Sequence, residues 1–238
     1  AVARAVGACQ SPGRVRVDQR AGVRVDFLDY LGSRWDNLLE LGIEHALVTA
    51  LTVVIATVIG VGLGLATYDR PRWRQLVIAV CSVFLTIPSL ALFGLFISWL
   101  GLGTTPVVVA LVMYSLLPIV ANTIVGLRQV DPAVVESAQG MGMNRVQRLV
   151  RIELPLAWPV ILTGMRVSTL LALGIVAIGA YIRGPGLGND IFAGLSRISS
   201  PNALNLVLGG TLGVIVLAIL FDLLYVLINR LTTSRGAR

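Results

Sequence analysis

Long uncharged apolar runs alternate along this chain with short arginine-bearing connections, and the lengths of the runs predict helices that cross a bilayer. One crossing takes about 20 apolar residues. Residues 46–66 make one such run, and residues 75–127 make a second that is too long for one helix and divides at the uncharged stretch 101–106. Residues 156–182 give a fourth span, interrupted by Arg166, and residues 205–229 a fifth, with Asp222 as its sole charge. Ahead of the first run, Phe27, Leu28, Leu31, Trp35, Leu38, Leu39 and Ile43 fall on one helical face. That spacing predicts an amphipathic helix over residues 26–44 lying on the outer membrane surface. The membrane domain is then expected over 45–230, with a tail at 231–238. Residues 1–25 show little periodicity, and are expected to be disordered or an extension upstream of a start near Val25.

One polar segment stands apart. Residues 130–155 read VDPAVVESAQGMGMNRVQRLVRIELP, between two uncharged spans, and carry two separate helix starts. Asp131 followed by Pro132 is an N-cap and first-turn pair, since a carboxylate accepts free backbone N–H groups and proline has none to satisfy. Asn144 with Gln147 is a capping box, and Gly140 and Gly142 allow the chain to turn between the two helices. Leu154-Pro155 is expected to close the element, because proline disfavours helical geometry in the residue before it.

A hydrophobic fraction of 56% with 13% charged residues excludes an ordinary soluble domain. The formal charge of +7 comes from arginine alone, as the chain has no lysine. Its distribution predicts orientation: Arg70, Arg72, Arg74, Arg128, Arg145, Arg148, Arg151 and Arg230 fall in connections that the positive-inside tendency places in the cytosol. The turn near 101 and the connection after Arg183 are expected outside, with the N-terminus outside and the C-terminus inside. No nucleic-acid motif is present, and membrane topology with an arginine-rich N-terminal tail accounts for the charge, so the expected partners include membrane lipid and no nucleic acid. Cys9 and Cys81 lie too differently to suggest a disulfide, and His45 has no partner at metal-ligand spacing and reads as an interfacial residue.

Glu136-Ser137-Ala138, three residues, Gly142, nine residues, then Ile152-Glu153-Leu154-Pro155 resembles the EAA loop of permease subunits of binding-protein-dependent ABC importers. The one departure is Ser137 where alanine is usual. The stretches TIPSLALFG (86–94), YSLLPIVANTIVGL (114–127), ESAQGMGM (136–143) and GPGLGNDIFAGL (184–195) resemble more narrowly the osmoprotectant branch, whose permeases move glycine betaine, carnitine, choline and similar amines. Arg183, Gly184 and Pro185 depart from that branch's usual turn. The resemblance implies an all-α membrane protein of the type I importer (MetI-like) class, with five core helices and cytosolic coupling helices. It also implies two ABC ATPase subunits, a second permease copy or a paralogue, a periplasmic or extracellular substrate-binding protein, and a bacterial cytoplasmic-membrane location. No cofactor is expected on this chain, ATP with Mg being held by the ATPase. The coupling residues it assigns are Glu136, Ser137, Ala138, Gly140, Met141, Gly142, Met143, Ile152, Leu154 and Pro155. A permease for another small solute, such as an amino acid, is the alternative. An autonomous secondary transporter would need a midplane ion site and an inverted repeat, which the chain does not display.

The spans add two further candidate groups. Pro88 and Pro118 would kink the second and third spans, and Ser89 and Asn122 beside them could line a polar pathway or serve as interhelical contacts. Arg166 and Asp222, expensive as lone charges in a bilayer, are expected to form one buried pair. Gly60, Gly62 and Gly64 suggest a close helix contact.

Overall fold

The computed structural model describes residues 27–200 and 202–232, and among them every regular element is helical. The chain divides into two units, residues 1–34 and 35–238. In the first, residues 27–33 are helical, with Ser33 donating to the Tyr30 carbonyl and the Arg34 guanidinium over the Tyr30 ring. The expectation for residues 1–25 lies outside the described residues.

The second unit contains nine α-helices among the described residues: α1 (Trp35–Thr67), α2 (Pro71–Thr86), α3 (Ser89–Leu100), α4 (Thr104–Arg128), α5 (Pro132–Gly140), α6 (Arg145–Arg148), α7 (Leu154–Gly179), α8 (Gly188–Ser196) and α9 (Ala203–Thr232). α1 departs from the expected boundary near residue 44. Nothing between Trp35 and Thr67 breaks a helix, so the acidic stretch and the first apolar run form one 33-residue rod. At 1.5 Å per residue such a rod rises about 50 Å. A hydrocarbon core is about 30 Å thick, so the first turns of α1 extend beyond it.

Four helical stretches are long and apolar enough to cross a bilayer, and α2 with α3 qualifies only as a pair bent by 96°. The expected kink at Pro88 is thus a complete break. Ile87, which precedes the proline, takes an extended conformation, and helical geometry resumes at Ser89. Its carbonyl, freed at the break, accepts the Tyr114 hydroxyl from α4 at 2.5 Å.

α4 is the axis of the bundle, packed by α1 on one side and α7 on another. Two buried clusters meet along it: one includes Phe93, Leu111, Tyr114 and Val176, the other Cys81, Val120, Ile124 and Ile161. Close approach to α1 depends on Gly60 and Gly64, one turn apart. A Cβ on Gly64 would stand 2.5 Å from Thr123 Cγ2, whereas a Cβ on Gly62 would meet nothing within 4 Å. Gly62, two residues from each, points away from α4.

Two ends result. One gathers the C-termini of α1, α4 and α9 with the 129–153 connection, as Trp158 Nε1 donating to Thr232 Oγ1 shows. The other gathers the 101–103 turn and the segment after α7, where Gly103 N–H bonds the Ile182 carbonyl at 3.0 Å.

Candidate functional site

Residues 130–153 fold into a compact knob at the first of these ends. The Asp131 carboxylate accepts from Ala133 N–H at 2.8 Å and opens α5. The helix closes through Met143 N–H to the Ala138 carbonyl and Gly142 N–H to the Gln139 carbonyl, with Gly142 at φ +81°. That left-handed geometry suits glycine and strains other residues. Both halves of the capping box form, Gln147 N–H to Asn144 Oδ1 at 2.9 Å and Asn144 N–H to Gln147 Oε1 at 3.0 Å.

The expected stop at Leu154-Pro155 does not occur. Residues 149–153 form a π-helical turn in which Leu154 N–H reaches back five residues to Leu149, and α7 follows without interruption. The wider turn shifts the hydrogen-bond register just before Pro155, leaving the proline in the first turn of a fresh α-helix, where no N–H is needed.

Glu136, Ser137, Gly140, Met141 and Gly142 are exposed on the knob, Met143 and Ile152 are half-buried, and Ala138 is buried beneath α5. Leu154 and Pro155 belong to α7 rather than to the knob's surface. Met141, Val146 and Val150 expose 68%, 68% and 56% of their surface beyond the spans, which makes an apolar tip on a polar element. The two valines were not singled out by the motif, yet Val146 lies within the capping box and Val150 one turn beyond it, a spacing that puts both on one outward face.

Sequence reasoning also missed what holds the knob. Glu153, 3% exposed, accepts from Tyr68 Oη at 3.0 Å and from Arg148 Nε at 2.6 Å. Burial, and then the bond to Glu153, pushes the Tyr68 phenol up to about 12, and the same carboxylate raises the Arg148 guanidinium. Arg145 pairs with Asp69 at 2.6 Å, both side chains exposed. A cleft of ≈ 640 Å³ runs beside these groups, lined by Tyr68, Arg74, Arg128, Glu136 and Gln139 among others.

The pathway candidates are dispersed. Pro88 and Ser89 sit at the α2–α3 break, while Pro118 and Asn122 face α7 at Gly164, where a Cβ would lie 2.7 Å from the Pro118 carbonyl. Asn122 Nδ2 donates to that carbonyl at 2.8 Å. Arg166 and Asp222 do meet, Nε to Oδ1 at 2.5 Å, but their side chains are 44% and 33% exposed, so the pair is not buried within this subunit.

His45 is fully buried rather than interfacial, and its Nε2 lies 3.0 Å from the Leu173 carbonyl. A carbonyl only accepts, so Nε2 carries the proton. Next to it, Glu44 accepts from Gly186 N–H at 3.2 Å, and Asn189 Nδ2 donates to the Gly184 and Gly186 carbonyls. Arg183, at φ 62°, makes the left-handed turn between α7 and this loop.

Residues 56–234, from the first span through the last, match the family described as binding-protein-dependent transport system inner membrane component. The chain belongs to this family. The permease is 34% identical over 209 residues to the choline transport system permease protein OpuBB of Bacillus subtilis, covering 88% of this chain and 94% of that one. It is 38% identical to the carnitine transport permease protein OpuCD of Listeria monocytogenes, with 83% and 87% covered. To the osmoprotectant import permease protein OsmW of Salmonella typhimurium it is 36% identical, with 90% and 100% covered. Its fold matches a chain of the inward-facing MetNI methionine ABC transporter at a TM-score of 0.73 and 21% identity, covering 83% of this chain and 96% of that one. That likeness establishes the type I importer fold of the permease, and is silent on its solute.

Proposed function

We propose that this permease forms the membrane pathway of an ATP-driven importer for quaternary-amine osmoprotectants such as choline, carnitine and glycine betaine. Identity of 34–38% over most of the chain to permeases named for those solutes is the observation that carries the substrate class. The knob at 130–153 docks the ATPase. Its exposed Met141, Val146 and Val150 supply apolar contact, its paired caps supply rigidity, and Glu136 supplies a charge at the rim. Two ATPase subunits, holding ATP and Mg, and a second permease complete the inner part, with a binding protein at the opposite mouth. No bond is made or broken on this chain. ATP binding and release would favour one pathway state over the other through contacts that differ between them.

Arginine is concentrated at the knob end, which supports placing that end and the C-terminus in the cytosol and the 101–103 turn outside. Cysteines introduced at Thr104 and Ser199 should react with a membrane-impermeant reagent on intact cells, and those at Arg72 and Asn144 should not. The decisive measurement is uptake of labelled choline, carnitine and glycine betaine in cells expressing the permease with its neighbouring ATPase and binding protein. Uptake of an amino acid instead would move the solute assignment. Uptake without any ATPase would overturn the importer reading itself.

A further inference from the structure

We infer that Glu153, through Tyr68 and Arg148, is the positioning residue that ties the knob to the end of α1, so that displacement of the knob is delivered to α1 as well as to α7. This rests on the reading of the knob as the ATPase-docking element.

The knob has a continuous helical connection to α7 through the π turn, and Leu149 packs on the apolar cluster around Ile124, but among the described residues its side-chain hydrogen bonds to other segments run to the turn after α1. Tyr68 is the first residue beyond α1, and its hydroxyl donates to Glu153 Oε2. Arg148, in α6, donates to the other oxygen of the same carboxylate. In an α-helix, side chains three or four apart face each other and those five apart do not. The π turn over 149–153 is therefore what brings Arg148 and Glu153 to one side. With Glu153 3% exposed and Tyr68 6% exposed, the bonds form in a poorly solvated site, where hydrogen bonds to a charged group are strong. The second link, Arg145 to Asp69, joins the same two segments at the surface, where ion pairs contribute little. The buried carboxylate is the stiff member of the two.

Push the knob, and a side-chain tie of this kind moves α1. Without it, the knob could shift through compliance of the π turn while α1 stays behind, and ATP hydrolysis would be wasted.

The experiment uses the complete importer in proteoliposomes, with wild type, Tyr68→Phe, Glu153→Gln, Arg148→Glu and the exchange Arg148→Glu with Glu153→Arg. Three quantities are read: ATPase copurifying with the permease, ATP hydrolysed, and solute imported per ATP. Coupling free energies between sites correspond to about 5- to 150-fold effects, so solute per ATP should fall at least about fivefold in the single variants. The ATPase should remain bound and hydrolysis should persist. The exchange should restore solute per ATP, because a tyrosine hydroxyl can accept from an arginine as readily as it donates to a carboxylate. An unchanged ratio in Tyr68→Phe and Glu153→Gln would overturn the inference. So would loss of the ATPase, or hydrolysis and uptake falling in equal proportion, since either marks the network as support for folding or docking only. If wild type itself failed to retain an ATPase, the docking reading would fail instead, and the two failures are told apart by that control.

Discussion

The two ends of this bundle are closed by different means. At the knob end, the hydrogen-bonded links between the knob and the turn after α1 are side chain to side chain: Glu153, itself held by Arg148, with Tyr68, and Arg145 with Asp69. The apolar residues Met141, Val146 and Val150 are left outside. At the opposite end, side chains reach backbone: Glu44 to Gly186 and Asn189 to two carbonyls pin the segment after α7, and His45 bonds the Leu173 carbonyl within α7. Side chain to backbone bonds fix a loop in one shape. Side chain to side chain ties leave each segment's own backbone geometry intact while joining their positions, which suits an element that moves as a body. The difference agrees with the proposed docking role of the knob end and with a fixed, closed loop at the opposite end.

Substituting Gly142 should break that contrast most severely. Gly142→Leu puts a branched side chain at φ +81°, where non-glycine residues cost about 1–3 kcal/mol. ATPase copurification and coupled uptake should be lost, while the permease remains inserted. Normal copurification would place the docking surface elsewhere.

The ion pair between the ends sharpens the picture next. Arg166 stands twelve residues from the start of α7 and Asp222 ten from the end of α9, about 15–18 Å along each helix at 1.5 Å per residue. A lone charge at such depth costs about 2.5–3.5 kcal/mol on insertion scales. Arg166→Ala and Asp222→Ala should each lower thermal stability, and the double change should cost clearly less than the sum. Strict additivity in that cycle would mean that each charge is solvated independently.

His45→Ala tests the static end. The buried imidazole and its hydrogen bond to the Leu173 carbonyl are lost, while that carbonyl keeps its bond within α7, so the hydrogen-bond cost is about 0.5–1.5 kcal/mol. Melting temperature should drop with solute imported per ATP unchanged, whereas Tyr68→Phe should lower that ratio. A fall in that ratio would erase the distinction between the ends.

The smallest expected effect is a pH dependence at Tyr68. Its phenol is pushed up to about 12 in the folded permease, so the protonated form is the one that folding favours. That contribution is fully present below the ordinary phenol range and is lost as pH rises from about 10 through about 12. Denaturation of wild type against Tyr68→Phe should show a difference that is flat from neutral pH to about 9 and narrows above about 10.

Much of this was legible in one dimension because a bilayer is an unforgiving solvent. Apolar runs, arginine placement and the two cap pairs at Asp131 and Asn144 each follow from local chemistry, and so did the family, since the Glu136 to Pro155 spacing sits inside one loop. The errors came where a neighbour decides the outcome. Pro155 does not end its helix, because a π turn absorbs the missing N–H. Pro88 does more than kink, because Tyr114 from α4 satisfies the carbonyl that the break exposes. His45 looked interfacial until α7 covered it, and Glu153 occupied an unmarked position in the motif until Tyr68, 85 residues away, was brought to it. Hydrophobic lengths and caps depend on residues within a few turns and are written in order along the chain. The partner of a buried carboxylate depends on which helices pack, and only the folded bundle supplies that.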